Sequence, residues 1–585
     1  MTPGKISRYG FVAGIIILGA TLLRLVLIRL GWPLTNSDEG TMGIMALHIA
    51  YRGDHPTFFY GQHYMGSWEA FLGAGLFHLF GPSLFVLRMG TVLMIALALL
   101  AIYLLSRLLF PRTWAVVSLL LAASGSGFAM AQEIRAIGGY AETLLFSSLL
   151  FLTATWLVLT YQRKPLRNEQ MRRWLFYLAW GLAAGLGLWT DLLIAPMIIA
   201  SGLLLLLVCW RELARPLPLL CLLAGLCIGA APLISYNLHA LPNEDSLTVF
   251  RALHDQGGIA LYTPSAILAE TGNTFGISLP LMTGEPFCPV TEIPFLGPTS
   301  SPGLVCTVAR GSWGLGYLLI FAFSFALVVR GIWQVWHTYK NQSASPEIQR
   351  NARQQLARLS LLLGAALSLA LYTFSSGPLI GPGLHARYLI CLLVATPATF
   401  WSLWEGLRAA QGEEKLRQKA LRALCAIVLL CFCGLTLTGS VLAFSEVSAA
   451  TALNQRDAAL IHDLERLGIR HFYTDYWTCD KIVFESDERI ICAVVDTHLR
   501  PDHNRYLPYF TEVAADPFAA YVFPLDTEQF QLAAPYTFLT NIHQPGRVLP
   551  LAMGMQYRRI VTDGYVITYS SNMQRTLLLR GRTGG

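Results

Sequence analysis

Residues 34–51 read LTNSDEGTMGIMALHIAY. The stretch follows the first long apolar run, Phe11–Leu30, and sets two adjacent carboxylates, Asp38 and Glu39, where a chain leaving a bilayer would begin a short amphipathic helix over Thr41–Tyr51. Ionisable groups at membrane depth are costly and usually have a task. One reading makes the pair a general base or a metal ligand at the membrane surface. The other makes it a helix cap, with Ser37 or Asp38 as the N-cap and Glu39 favoured by the helix dipole.

Working outward, the chain has 585 residues, of which 54% are apolar and 13% charged, with a mean hydropathy of +0.50. A soluble domain carries about 25% charged residues, so this composition belongs in a membrane. Runs such as Phe11–Leu30, Met89–Leu109 and Ala423–Phe444 approach the roughly 20 apolar residues a crossing requires. The net charge of +7 is modest and implies no nucleic acid. Lys5 and Arg8 precede the first run without a small-residue cleavage site after it, so that segment reads as a retained helix.

Basic residues cluster in every second loop. The clusters are Arg107 with Arg112; Arg163, Lys164, Arg167, Arg172 and Arg173; Arg211 with Arg215; Arg330, Lys340, Arg350, Arg353 and Arg358; and Arg408, Lys415, Arg417, Lys419 and Arg422. Basic loops stay cytoplasmic. The segments 31–88, 131–141, 189–192, 235–312, 375–387 and everything after 445 then face outward, provided that Trp68–Phe80 lies in the interface without crossing. The expected architecture is a polytopic all-α membrane protein of about eleven spans with juxtamembrane helices, its N-terminus inside and its C-terminus outside. Residues 1–445 form the membrane part, with a first outer loop at 31–88 and a long one at 235–312. Residues 446–585 are more polar and read as a small extracytoplasmic α/β domain, with a helix at Asp457–Leu467 and strands at Arg470–Thr474 and Arg489–Val495. Four cysteines fall in outward segments, Cys288, Cys306, Cys479 and Cys492, an even number suited to an oxidising compartment.

Other residues stand out on the same expected face. His385-Ala386-Arg387-Tyr388 lies where a Gly/Pro-rich loop re-enters the bilayer. Arg387 suits a phosphate, or it is a snorkelling anchor beside a belt tyrosine. The corner Gln132–Glu142 holds Glu133, Arg135, Tyr140 and Glu142, either an ordinary polar corner or a second acidic position. His48, His55 and His63, with Glu69 nearby, allow a metal but lack the tight spacing of a usual ligand set. Asp191 faces outward without an assigned role.

Taken in order, these residues resemble the membrane glycosyltransferases of the GT-C superfamily, in the bacterial branch similar to protein O-mannosyltransferases and lipid A aminoarabinose transferases. The resemblance rests on Ser37-Asp38-Glu39-Gly40 after the first span, the interfacial helix Met42–Tyr51, YGQHYMGSWEAFLGAGLFHLFGPSLFVLR at 60–88, Pro232-Leu233-Ile234-Ser235-Tyr236-Asn237, and His385-Ala386-Arg387-Tyr388-Leu389. It covers about residues 10–445.

The resemblance implies inverting transfer of a sugar from a polyprenyl-phosphate donor to an acceptor on the outer face of the cytoplasmic membrane. Asp38 would be the catalytic carboxylate with Glu39 beside it. Arg387, with His385 and Tyr388, would bind the donor phosphate. Glu142 or Glu133, with Arg135, would stand at the family's second acidic position, more commonly Asp. Tyr60, Gln62, His63, Tyr64, Glu69 and Asn237 are candidates to line the substrate cavity. No cofactor is implied, a divalent metal stays open, and the acceptor is a lipid, glycan or protein. Two other classes compete: a flippase for a lipid-linked saccharide, which would show inverted repeats and broken helices, and a non-catalytic subunit of an envelope glycan assembly.

Overall fold

The computed structural model describes residues 8–162, 166–255, 263–288, 303–341, 345–408, 416–525, 527, 557–562 and 564–570. Residues 163–164 and 415 of the expected basic loops lie outside these. Among the described residues eight helices are long and apolar enough to cross a membrane, beginning with Arg8–Arg29 and Leu84–Leu109. Two bent pairs, Arg112–Ala123 with Gly127–Ile134 and Pro216–Gly229 with Ala231–His239, bring the number to 10 if each is one span. A further helix, Arg167–Thr190, lies where the sequence expects another crossing. Its first two turns carry Arg167, Glu169, Arg172 and Arg173, and the rest is rich in Gly, Ala and Trp, which keeps it out of that apolar set. Trp68–Phe80 spans 13 residues, too few to cross a core about 30 Å thick at 1.5 Å per residue.

Several charges inside the bundle are paired. Arg24 on the first helix donates through Nε to Glu133 at 3.0 Å and through Nη1 to the Ala123 carbonyl at 3.3 Å. Arg173 reaches both oxygens of Glu212 at 2.8 and 2.6 Å. A buried pair adds little net stability, but losing one partner strands the other in low dielectric.

Close helix packing comes from small residues. Arg167–Thr190 and Pro216–Gly229 lie side by side and run the same way, since Gly181 and Gly185 face the Leu222–Ala230 backbone while Gly225 and Gly229 face Leu178–Leu186. A Cβ at any of the four would collide with a main-chain oxygen or nitrogen of the other helix. Apolar helices in lipid gain nothing from hydrophobic burial, so backbone approach of this kind supplies much of their contact energy.

The sequence places a boundary near residue 445, but the chain does not break there. Leu416–Leu442 continues through a short 3-10 turn, Ala443–Glu446, into Val447–Leu467. Asn454 and Thr451 on this last helix bond the carbonyls of Gly31 and Leu30 at 2.9 and 3.1 Å. The helix enters an α/β unit with strands β1 (His471–Thr474), β2 (Ile491–Val494), β3 (Ala520–Pro524), β4 (Tyr557–Thr562) and β5 (Tyr565–Ser570). The sheet order is β2-β1-β3-β5-β4, with β1 parallel to β2 and β3, and β5 antiparallel to β3 and β4. Parallel neighbours require crossovers. The β1–β2 crossover holds the helix Tyr476–Glu485, and the β2–β3 crossover holds Leu507–Ala515. Disulfides join Cys479 to Cys492, tying the first of these helices to β2, and Cys288 to Cys306.

The glycine contact predicts a selective effect. Gly225→Ala should lower the thermal midpoint of the detergent-solubilised protein by about 2 °C or more. Gly14→Ala, where nothing lies within 4 Å of the new Cβ, should leave it unchanged or raise it slightly. Equal midpoints for the two variants contradict this packing.

Candidate active site

The helix Ser37–Leu47 starts on Asn36, whose Oδ1 accepts the Glu39 N–H at 3.0 Å. The cap is therefore Asn36, and neither Ser37 nor Asp38 has that task. The four motif residues face three ways, Ser37 and Gly40 sharing one. Ser37 Oγ accepts the Asp480 N–H at 2.9 Å. Gly40 lies so close to the Asp480 backbone that a Cβ would overlap it, and a Cβ on Gly43 would strike the Phe484 ring. Thr41 donates to Asp480 Oδ2 at 2.5 Å. The helix Tyr476–Glu485 thus docks directly on the motif helix, and the motif glycine makes room for it.

Glu39 turns into the scaffold. It takes both donors of Arg88 at 2.8 and 2.6 Å and the Ala136 N–H at 3.1 Å, and it is fully buried. Burial alone would push its carboxyl up, but the charge and hydrogen bonds of Arg88 and the Ala136 N–H hold it below the usual carboxylate range. Its contacts place it away from Asp38 despite the adjacency in sequence.

Asp38 faces the other way. Its Oδ1 accepts from the Tyr476 hydroxyl and from Arg505 Nη2 at 3.0 Å. Its Oδ2 makes no hydrogen bond among the described residues, and its side chain is 15% exposed. Arg505 also donates to the Tyr476 oxygen at 2.8 Å. With the Gln62 amide oriented oxygen-inward, Arg505 reaches it at 2.8 and 3.1 Å. The rings of Phe59 and Tyr476 lie 5.1 and 5.3 Å from the guanidinium carbon.

Arg387 comes to the same place. It lies over the rings of Tyr140 at 5.1 Å and Tyr388 at 5.9 Å and interacts electrostatically with Asp38. Its Nε has no hydrogen-bond partner, and among the described residues no carboxylate lies within 4.0 Å of it. Tyr388 stacks 6.3 Å from Tyr140 and 5.1 Å from His385, whose Nδ1 is 3.0 Å from the Gly381 carbonyl oxygen. Tyr64 and Asp191 feel the Arg387 charge as well. Burial pushes the Asp191 carboxyl up to about 7.

Close to these groups two acids meet. Glu69 accepts the Gly138 N–H at 2.9 Å and faces Glu142. Gly138 and Gly139 have φ of +85° and +83°, and this left-handed turn aims Tyr140 and Glu142 at the site. Both oxygens of Glu142 and Oε1 of Glu69 are buried without hydrogen-bond partners among the described residues. Burial, then the neighbouring charge of Glu142, raises the Glu69 carboxyl well above its ordinary value.

The remaining expected residues lie elsewhere. Glu133 is taken up by Arg24. Arg135 donates to the Leu34 carbonyl at 3.0 Å, bracing the chain just before the motif. His48 is buried against Tyr60 at 2.9 Å and Glu488 at 2.7 Å, His55 stacks on Phe71, and His63 bonds the Tyr236 hydroxyl. These histidines hold separate partners and do not converge on one ion. Asn237 bonds Ser246 and the Leu233 carbonyl, closing a local turn. The one group of metal-capable side chains within ligand distance among the described residues is Cys479, Asp480 and Cys492, and its sulfurs are spent in a disulfide. Sequence reading missed Tyr476 and Arg505 entirely. They sit in short polar stretches without a motif, and only folding brings them to Asp38.

A family model described as dolichyl-phosphate-mannose-protein mannosyltransferase matches residues 64–236. ArnT from Cupriavidus metallidurans, solved with undecaprenyl phosphate, aligns at a TM-score of 0.54 and 14% identity, over 97% of this chain and 99% of that one. Its apo structure aligns at 0.52 and 14%, over 95% and 97%. No curated protein sequence matches. The chain shares the GT-C fold of ArnT over almost its whole length.

The docking contact carries a pH signature. Burial pushes Asp480 up to about 6 from 3.8. The folded protein therefore keeps a proton that the unfolded chain releases, so this residue favours folding most in acid and less as pH rises through 6. Asp480→Asn keeps an acceptor for Thr41 and should match the parent's thermal midpoint near pH 4. At pH 8 its midpoint should be the higher, with a stability gain of up to ~3 kcal/mol at about 1.4 kcal/mol per pH unit. A pH-independent difference contradicts this.

Proposed function

We propose that the protein is an inverting glycosyltransferase that moves a sugar from a polyprenyl-phosphate donor to an acceptor hydroxyl or amine at the outer face of the cytoplasmic membrane. The observation that carries the reading is that Asp38, whose Oδ2 has no hydrogen bond among the described residues, lies within electrostatic reach of Arg387, a cation with no ion-pair partner among the described residues. The acceptor heteroatom attacks the anomeric carbon as the bond from that carbon to the phosphate oxygen breaks. The acceptor proton passes to Asp38 Oδ2. The electron pair leaves with the phosphate, whose growing charge Arg387 stabilises. Phosphate departs without a proton, so the second acid of a glycosidase is not needed.

Several observations support the rest. The ArnT structure that shares this fold was solved with undecaprenyl phosphate, a carrier of the proposed class. The alternation of basic loops and the two disulfides agree with Asp38 facing an oxidising compartment. In this reading Glu39 is structural, Tyr388 and Tyr140 seat Arg387, and Glu142 with Glu69 forms the second acidic position. The transferred sugar is a hexose or a pentose.

The test is transfer of radiolabelled sugar from a polyprenyl-phosphate donor by the purified protein. Asp38→Asn should lose at least ~100-fold in kcat with an unchanged thermal midpoint. Arg387→Ala should raise the donor KM and lower kcat together. Near-normal turnover by Asp38→Asn would overturn the assignment.

A further inference from the structure

Opposite charges in low-dielectric surroundings attract strongly, and Asp38 and Arg387 lie within electrostatic reach of each other. If they closed into an ion pair, the base would be quenched and the phosphate-binding cation occupied. Each is held apart by its own contacts. Arg387 lies against Tyr140 and Tyr388. Asp38 is held on one oxygen by Tyr476 and Arg505. A carboxylate on a single side chain rotates readily about its last bond, which has broad wells. Two donors on Oδ1 fix that rotation and leave Oδ2 as the oxygen turned to the cavity.

Resting on the reading above, we infer that Tyr476 and Arg505, both from the C-terminal unit, are positioning residues for Asp38: they select the working oxygen and keep Asp38 from pairing with Arg387. The C-terminal unit is then a part of the active site. The two residues are themselves well fixed. Asp475 caps the Tyr476–Glu485 helix by accepting the Trp477 and Thr478 N–H groups at 2.9 and 3.2 Å, which places Tyr476 at the first helical position. Ser37, Gly40 and Thr41 seat that helix on the motif. Arg505 is 6% exposed, and besides Asp38 its donors reach Tyr476 and Gln62 between the rings of Phe59 and Tyr476. Gly61, at φ +72°, carries the first loop past the Arg505 backbone and so sets Gln62 against it.

A guanidinium so placed also faces the other titratable groups of the cavity. Tyr64 and Asp480 feel its charge, and His503 packs 5.7 Å from Tyr476. None of these bonds Asp38 among the described residues, so the two donors on Oδ1 are its direct anchors.

The experiment is steady-state transfer by the full-length purified protein carrying Tyr476→Phe, Arg505→Gln, Arg505→Lys or Asp38→Asn, with pH–kcat profiles and donor KM for each. Tyr476→Phe deletes one oxygen from a packed ring and should lower kcat about fivefold or more. It should also change the pH–kcat profile, because the hydrogen bond that positions the carboxylate is gone. Arg505→Gln should lower kcat about tenfold or more and raise the donor KM, since Arg387 is drawn to Asp38; Arg505→Lys should recover part of both. Adding Arg505→Gln to Asp38→Asn should cost nothing further. Should Arg505→Gln fail to fold, Tyr476→Phe decides. Unchanged kcat and pH profile in Tyr476→Phe, with Asp38→Asn inactive, overturns the positioning role and leaves the transferase reading standing. An active Asp38→Asn overturns the transferase reading itself.

Discussion

In the proposed reading, the constraint that organises this molecule is keeping the Asp38 carboxylate close to the Arg387 guanidinium without letting the two neutralise each other. Asp38 has an anchored oxygen and an open one; Arg387 is cradled by aromatic faces that satisfy its charge without supplying an anion. Each contact is weak beside a direct ion pair in low dielectric, so many must act together. They come from the first outer loop, the turn before Tyr140, the segment around Arg387 and the C-terminal unit.

The scaffold beneath is a set of charges that are allowed to pair. Glu39 with Arg88, Arg24 with Glu133, and Arg173 with Glu212 each close a buried contact between different helices. Such pairs fix register more than they stabilise. The contrast with Asp38 is instructive: side chains adjacent in sequence, Asp38 and Glu39, have opposite fates. The helix turns by about 100° per residue, so one faces the cavity and the other the bundle. Gly40 completes the arrangement by letting the Tyr476–Glu485 helix approach the motif backbone.

Much of the architecture was legible in the sequence because bilayer physics writes it plainly. Apolar run lengths and alternating basic loops marked the spans, and the short run at Trp68–Phe80 was recognisable as non-spanning. The helix Arg167–Thr190 shows the limit, for its glycines and basic first turns dilute the hydropathy that marks the others. Asp38 and Arg387 were visible as costly groups at membrane boundaries. Glu133 looked equivalent to Glu142 from spacing alone, and only the position of Arg24 on a distant helix separates them. Tyr476 and Arg505 were invisible for a similar reason: they lie 438 and 467 residues from Asp38 in sequence, and no local pattern encodes a contact made by docking.

The most direct test of the central claim is an experimental structure of the full-length protein with a polyprenyl phosphate bound in a lipid nanodisc. The account predicts the phosphate within hydrogen-bond distance of Arg387, with Asp38 still held through one oxygen by Tyr476 and Arg505 and its other oxygen facing the cavity. A phosphate seated away from Arg387, or Asp38 turned to pair with Arg387 while the carrier is bound, would contradict it.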